Sequence, residues 1–316
     1  MMTVAVALVA SGCSTGASAD KTDEGLTPVS LIAVPVIDLA AIQIGIEEGY
    51  FEDAGLDLTV DYAAGQALVP GVSSGQYNFG FTSTPSLLQA RGKGLPLVAV
   101  SESVRSTGNV EEDHGGIFVA GDSDMESAKD LEGKTVAVNQ VENLHQILTE
   151  ISIEKAGGDP EKVEFIEIAF SEMPAALARK QVDAVATSEP FTTIVSEEGN
   201  KRIASQFVDA DPDFIAGAYF STESFVAENG DIAAQFKAAV DKSLNFAQEN
   251  PDRVRAAVTE ITDIEQALVD KLILPKFASD FPTEPIQNFA GMMLDAGVVQ
   301  EPIDVQGLMA FVESQR

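Results

Sequence analysis

Val29-Ser-Leu-Ile-Ala-Val-Pro-Val-Ile-Asp-Leu-Ala-Ala-Ile-Gln-Ile-Gly-Ile-Glu-Glu-Gly-Tyr50 changes its apolar period part-way along. Val29 to Val34 is a short, β-rich apolar run closed by Pro35. From Asp38 onward, Leu39, Ile42, Ile46 and Tyr50 return at helical spacing on one side. The same change recurs downstream. Leu58 to Val60, Tyr77 to Phe81 and Leu97 to Val100 read as strands, with helical segments at Gln66 to Ser73 and Pro85 to Arg91 between them. Short apolar strands alternating with helices predict a mostly parallel sheet covered on both faces.

A second α/β unit repeats the rhythm without repeating the residues. Its expected strands are Gly116 to Ala120, Thr135 to Val138, Val163 to Ile168 and Ala184 to Ala186. Helices are expected at Asp124 to Leu131, Glu142 to Ala156, Ser171 to Arg179 and Pro190 to Ser196. Beyond about Phe220 the pattern is helical, with segments at Ala233 to Glu249, Pro251 to Thr259, Ile264 to Leu272, Thr283 to Ala296 and Val305 to Glu313. Proline in the first helical turn accounts for the placement of Pro251 and Pro285. Two sheet-bearing units followed by helices fit two lobes with a cleft between them.

The chain has 316 residues, enough for two domains, and its 45% hydrophobic and 22% charged content is that of a folded protein. Its formal net charge of -31 makes nucleic acid and anionic membrane surfaces poor partners. One cysteine, Cys13, permits no internal disulfide, and two histidines, His114 and His145, give little material for a metal site. No metal and no cofactor are expected. Val4 to Ala10 is a seven-residue apolar run, too short to span a bilayer but sufficient for the core of an export signal. Ser11-Gly12-Cys13 after it resembles a bacterial lipobox, although Ala10 stands where leucine is usual and no Lys or Arg precedes the run. Residues 1–12 are accordingly expected to be a signal peptide, Cys13 the lipid-bearing residue and 13–28 a tether.

Motifs for covalent chemistry fail on context. Gly71-Val-Ser-Ser-Gly75 fits the nucleophile-elbow pattern, but a helix precedes it and a strand follows, the reverse of what exposes the serine. Ser152-Ile-Glu-Lys155 lacks its companion motifs, and Asp209-Ala-Asp-Pro-Asp213 puts phenylalanine where a calcium loop needs glycine and glutamate. His145, among Leu144, Ile147 and Leu148, could face a ligand as a donor but reads first as a packed or capping side chain. For His114, before Gly115-Gly116, a hinge-side role and a plain loop role both stay open.

Five phrases resemble the solute-binding proteins of bacterial ABC importers, in the sulfonate, taurine, nitrate and thiamine-precursor group. They are Ala41-Ile-Gln-Ile-Gly-Ile-Glu-Glu-Gly-Tyr-Phe-Glu-Asp-Ala-Gly-Leu56, Val72-Ser-Ser-Gly-Gln-Tyr-Asn-Phe-Gly80, Asp130-Leu-Glu-Gly-Lys-Thr-Val-Ala-Val138, Ala175-Ala-Leu-Ala-Arg-Lys-Gln-Val-Asp-Ala184 and Glu189-Pro-Phe191. The resemblance implies a two-lobed type II periplasmic-binding fold: lobe 1 from 29–117 and 221–316, lobe 2 from 118–220, with two crossovers and a ligand in the cleft. It also implies an ABC permease in the membrane as partner, an exported protein anchored at Cys13 outside the cytoplasmic membrane, and a monomer.

Ligands of open α/β sheets gather outside the carboxyl ends of strands, where helix N-termini present free N–H groups. The matching turns here are Pro35 to Ala40, Gly65 to Ala67, Thr82 to Ser86, Asn139 to Asn143 and Thr187 to Phe191. The candidate ligand-binding residues are therefore Asp38, Gln66, Thr82, Ser83, Thr84, Asn139, Gln140, Asn143, Ser188 and Glu189, with Phe191 favoured over Phe81 and Tyr50 as the stacking partner. Asp38, Thr84 and Ser188 serve equally well as helix caps. No Lys or Arg occurs in these turns, while Asp38, Glu142 and Glu189 do. That favours a pyrimidine, thiamine-precursor or amine ligand over sulfonate, taurine or nitrate, which helix N-termini alone would have to hold. Two rivals are a surface sensor or adhesion lipoprotein on the same body, and an enzyme like the thiamine-pyrimidine synthases, whose cysteine-rich motif this chain lacks.

Overall fold

The computed structural model describes Thr22, residues 25–262 and residues 264–316. The proposed signal peptide, Cys13 and most of the tether lie outside the described residues. Among the described residues, ten strands form two five-stranded sheets. The first, in spatial order β2-β1-β3-β10-β4, uses β1 (Thr27–Ala33), β2 (Leu56–Tyr62), β3 (Phe79–Ser83), β4 (Leu97–Glu102) and β10 (Gly217–Thr222). The second, β7-β6-β8-β5-β9, uses β5 (Gly115–Val119), β6 (Thr135–Val138), β7 (Glu164–Glu167), β8 (Ala184–Ser188) and β9 (Lys201–Ala204).

Both sheets follow one plan. β1 runs parallel to β2 and β3, while β10 is antiparallel to β3 and β4, so β4 points with the others and β10 alone opposes them. In the second sheet β6 is parallel to β7 and β8, and β5 is antiparallel to β8 and β9. The opposed strand of each sheet is the one that the chain enters on crossing between lobes. The expected mostly parallel sheets are present, each with one reversed member. Strand membership shifts the expected lobe limits: Gly115 to Ile117 pair inside the second sheet and Gly217 to Phe220 inside the first. The expected helix at Asp124 to Leu131 shortens to one 3-10 turn at Ala128–Leu131, and β1 begins at Thr27, inside the expected tether.

The crossovers lie side by side. Ser103 N–H donates to Gly217 O, Ala216 N–H to Val104 O and Ser106 N–H to Phe214 O, and Arg105 exchanges both backbone bonds with Lys276. Glycine is required where they meet the cavity wall, since a Cβ on Gly217 would sit 2.8 Å from the Phe81 ring and one on Gly115 2.2 Å from the Phe207 ring. The helices Gly230–Glu249, Pro251–Ile261, Thr283–Asp295 and Val305–Ser314 pack on the first lobe and bury Phe236, Leu244, Val254, Phe289, Leu308 and Phe311 in its core. Phe236 stacks on Phe79 of β3 with centroids 3.9 Å apart. These apolar stripes recur at three- and four-residue spacing, which is why the C-terminal third was readable as helix.

Candidate functional site

The carboxyl ends of the strands converge on a cavity between the lobes. The first lobe contributes Val34, Val36, Asp38, Gly65, Leu68, Phe81, Thr82, Ser83 and Ser86, with Ala216 from a crossover. The second contributes Asn139, Gln140, Asn143, Leu144, His145, Phe170, Ser188 and Phe207. The space measures about 90 Å³. At roughly 10–15 Å³ per water-sized occupant, that is room for about six to nine, the scale of a small single-ring ligand.

Asp38 is the one charged residue in this lining. Desolvation by the surrounding protein pushes its carboxyl up to about 6, partly offset by the Ser103 hydroxyl, which donates to Oδ2 at 3.3 Å. Asn139 Oδ1 is buried with no hydrogen-bond partner among the described residues. Such an orphaned acceptor costs about 1–3 kcal/mol unless something donates to it. Burial lowers His145, in the first turn of the helix Leu144–Lys155, to about 4, so its ring is neutral. Its Nδ1 lies 2.8 Å from Gln206 Nε2. The Phe170 ring meets His145 edge-on at 5.1 Å and the Phe207 ring at 6.1 Å.

Of the sequence-predicted residues, Asp38, Thr82, Ser83, Asn139, Gln140, Asn143 and Ser188 reach the cavity. Ser83 and Asn143 are spent on each other: Ser83 Oγ donates to Asn143 Oδ1 at 3.1 Å and Ser86 Oγ to the same oxygen at 2.7 Å, across the two lobes. Gln89 Nε2 adds a bond to Glu142 O at 2.9 Å. Four residues fall elsewhere. Gln66 lines a neighbouring outer hollow. Thr84 Oγ1 donates to Ile215 O at 2.6 Å and fixes a helix start to a crossover. Glu189 is fully buried and accepts from Thr193 Oγ1 at 2.7 Å, Thr193 N at 3.2 Å and Ile273 N at 3.0 Å, a bond from lobe to lobe outside the cavity. Phe191 stacks behind Phe170 at 5.4 Å, so Phe170, Phe207 and Phe81 are the rings at the cavity. Tyr50 packs edge-on against Phe246, far from it.

Phe170 and Phe207 are lining residues that sequence reasoning missed; Ser86 closes an expected turn without having been singled out, and His145, which reads first as a packed side chain, takes its other reading as a group at the cavity. Phe170 stands just beyond β7, a strand visible in the sequence, so the strand-end rule reaches it, whereas Phe207 follows β9, whose residues carry no clear strand signal.

A family model described as NMT1/THI5 like matches residues 37–254, more than half of the chain. The chain belongs to the NMT1/THI5-like family. A formylaminopyrimidine-binding protein of Halalkalibacterium halodurans is 28% identical over 253 residues, covering 78% of this NMT1/THI5-like chain and 73% of the relative. Among solved structures, the periplasmic aliphatic sulphonate binding protein SsuA from Escherichia coli aligns with a TM-score of 0.74 at 15% identity, over 89% of this chain and 97% of that one. The periplasmic nitrate-binding protein NrtA from Synechocystis PCC 6803 aligns with a TM-score of 0.74 at 18% identity, over 92% and 86%. Both share the two-lobed fold.

Proposed function

We propose that this protein is the extracytoplasmic solute-binding component of an ABC importer, and that its cleft captures a small nitrogen heterocycle of the aminopyrimidine type. The observation that carries the ligand class is the chemistry of the cavity lining. It offers the Asp38 carboxyl, the orphaned Asn139 oxygen and three phenyl rings, and no Lys or Arg among the described residues that form it. Acceptors between aromatic faces suit a flat ring bearing N–H donors. A sulfonate or nitrate would meet Asp38 instead of a cation. The 28% identity to a formylaminopyrimidine-binding relative points the same way.

Binding is the whole of the proposed activity, with no bond made or broken in the ligand. A ligand touching both lobes favours the closed form, and hinge bending about the paired crossovers is the motion it would drive. The permease would read that closed form. Anchoring at Cys13 and monomeric docking complete this reading, with residues 29–117 and 221–316 as lobe 1 and 118–220 as lobe 2, adjusted by the strand membership described above.

A thermal-shift panel of a formylaminopyrimidine, taurine and nitrate tests it. At about 100 times its dissociation constant the true ligand stabilises by about 2.7 kcal/mol. The pyrimidine is expected to give that shift and Asp38→Asn to weaken it. A shift with taurine or nitrate alone would overturn the ligand class.

A further inference from the structure

Gln206 is completely buried beneath the cavity floor, with its Nε2 2.8 Å from Thr187 O and 2.8 Å from His145 Nδ1. A carbonyl oxygen can only accept, so the amide NH2 must face Thr187. Reversing the amide would set its oxygen against that carbonyl. The second hydrogen of the same NH2 then points at His145 Nδ1, which must be an unprotonated acceptor. A neutral imidazole with a bare Nδ1 carries its proton on Nε2. That atom has no protein partner among the described residues, and His145 lines the cavity.

We infer that Gln206 fixes His145 as the tautomer protonated at Nε2. His145 thereby becomes a hydrogen-bond donor built into the cavity, selecting ligands that present a ring nitrogen or carbonyl oxygen to it. This rests on the reading of the cleft as a site for a small heterocycle, and it adds the missing polarity. Asp38 and Asn139 supply acceptors and His145 supplies a donor, so the complementary ligand edge carries an acceptor as well as N–H donors. A pyrimidine with an amino group beside a ring nitrogen has that alternation, whereas an alkylamine has donors only. Phe207 and Phe170 hold the imidazole from two sides, and the helix N-terminus disfavours a second proton on it. Gln206 is a positioning residue in this arrangement: its amide acts on the ligand only through the imidazole.

The full chain contains two histidines, so long-range proton–nitrogen correlation of the 15N-labelled protein reads both rings, and His145→Phe assigns them. The expected spectrum has His145 protonated at Nε2 and bare at Nδ1 without any ligand. A proton on Nδ1, or rapid averaging of both tautomers, overturns the inference. Titrating a formylaminopyrimidine should move the Nε2–H resonance, and His145→Phe should weaken that ligand roughly 10- to 100-fold. Binding by His145→Phe within twofold of wild type would also overturn it. Gln206→Met is expected to release the tautomer into a mixture, and if that variant does not fold, the wild-type spectrum still decides. A wild-type protein that shows the Nε2–H tautomer yet ignores the pyrimidine would sink the proposed ligand class and leave the tautomer assignment standing.

Discussion

Glu189 and Asp38 are both enclosed carboxyls with raised proton affinity, but they differ in what faces them. Glu189 meets three donors, Thr193 N, Thr193 Oγ1 and Ile273 N, and its pKa is still pushed up to about 7 by burial. Asp38 has one hydroxyl on its carboxyl group and an open side toward the cavity. Glu189 therefore works as a structural acceptor joining the second lobe to the segment around Ile273, whereas Asp38 keeps an oxygen for a ligand. Glu189→Ala should lower unfolding free energy by about 2–4 kcal/mol in urea titrations, because it strands buried donors. Ligand affinity by calorimetry should stay within about threefold, since no atom of Glu189 reaches the cavity. A large affinity loss at unchanged stability would restore Glu189 to the ligand site. From sequence the two residues were equivalent, each a carboxylate in a strand-to-helix turn. What separates them is the set of donors packed on Glu189, from Thr193 and from Ile273, 84 residues downstream.

The helix starts at Ser83 and Asn143 show what elements add. Ser83 caps the helix Thr84–Gly92 by accepting from Ser86 N, Asn143 accepts from Leu144 N, and the two caps face each other across the cleft. A cap normally satisfies only its own helix. Here one Asn143 oxygen also takes both serine hydroxyls, a clasp across the cleft that is expected to favour closure before any ligand binds. Asn143→Ala should shift the ligand-free protein toward the open form, seen as a larger radius of gyration in solution scattering, and weaken ligand binding about 3- to 30-fold. Asn143→Asp keeps the acceptor but loses the Nδ2 donation to Gln140 Oε1, and should restore both in part. An unchanged radius in Asn143→Ala would show that the clasp contributes nothing to closure. Elements were legible where periodicity was local: β1 to β8 and the C-terminal helices were all anticipated within a few residues. β9 and β10 were not. Lys201-Arg-Ile-Ala204 carries two charges in four residues, and Gly217-Ala-Tyr-Phe-Ser-Thr222 follows a proline-bearing acidic loop and opens on glycine. Their pairing is specified by partners far along the chain, β5 for one and β3 and β4 for the other. That omission also hid Phe207, which stands just after β9.

At the scale of the whole molecule, acid enters twice, as surface charge and as buried carboxyl groups. Burial pushes Asp38 and Asp113 up to about 6, and Glu102 and Glu189 up to about 7. Between their ordinary values and these, the folded protein holds protons that the unfolded chain has released, so their contribution to stability is full at low pH and declines as pH rises through that window. His114 and His145 act oppositely. Burial lowers them to about 3 and about 4, so the unfolded chain binds protons first and stability falls as pH drops below about 6.5. Four carboxyls outweigh two imidazoles between about pH 7.5 and 5. With a formal charge of -31, protonating surface carboxylates further reduces self-repulsion in the compact state. Calorimetry should therefore show the protein more stable at about pH 5 than at pH 7.5, by on the order of 1–2 kcal/mol, with a turnover below about pH 4, where the unfolded chain's carboxylates also take up protons and no longer leave the carboxyl gain to offset the histidine penalty. Raising salt at pH 7.5 from about 0.1 to 1 M shortens the screening length from ~10 to ~3 Å and should stabilise the fold through the surface part alone. In high salt the pH dependence should persist, because buried groups are screened much less. If it vanishes there, surface repulsion accounts for all of it, and the buried carboxyls are ionised in the folded state.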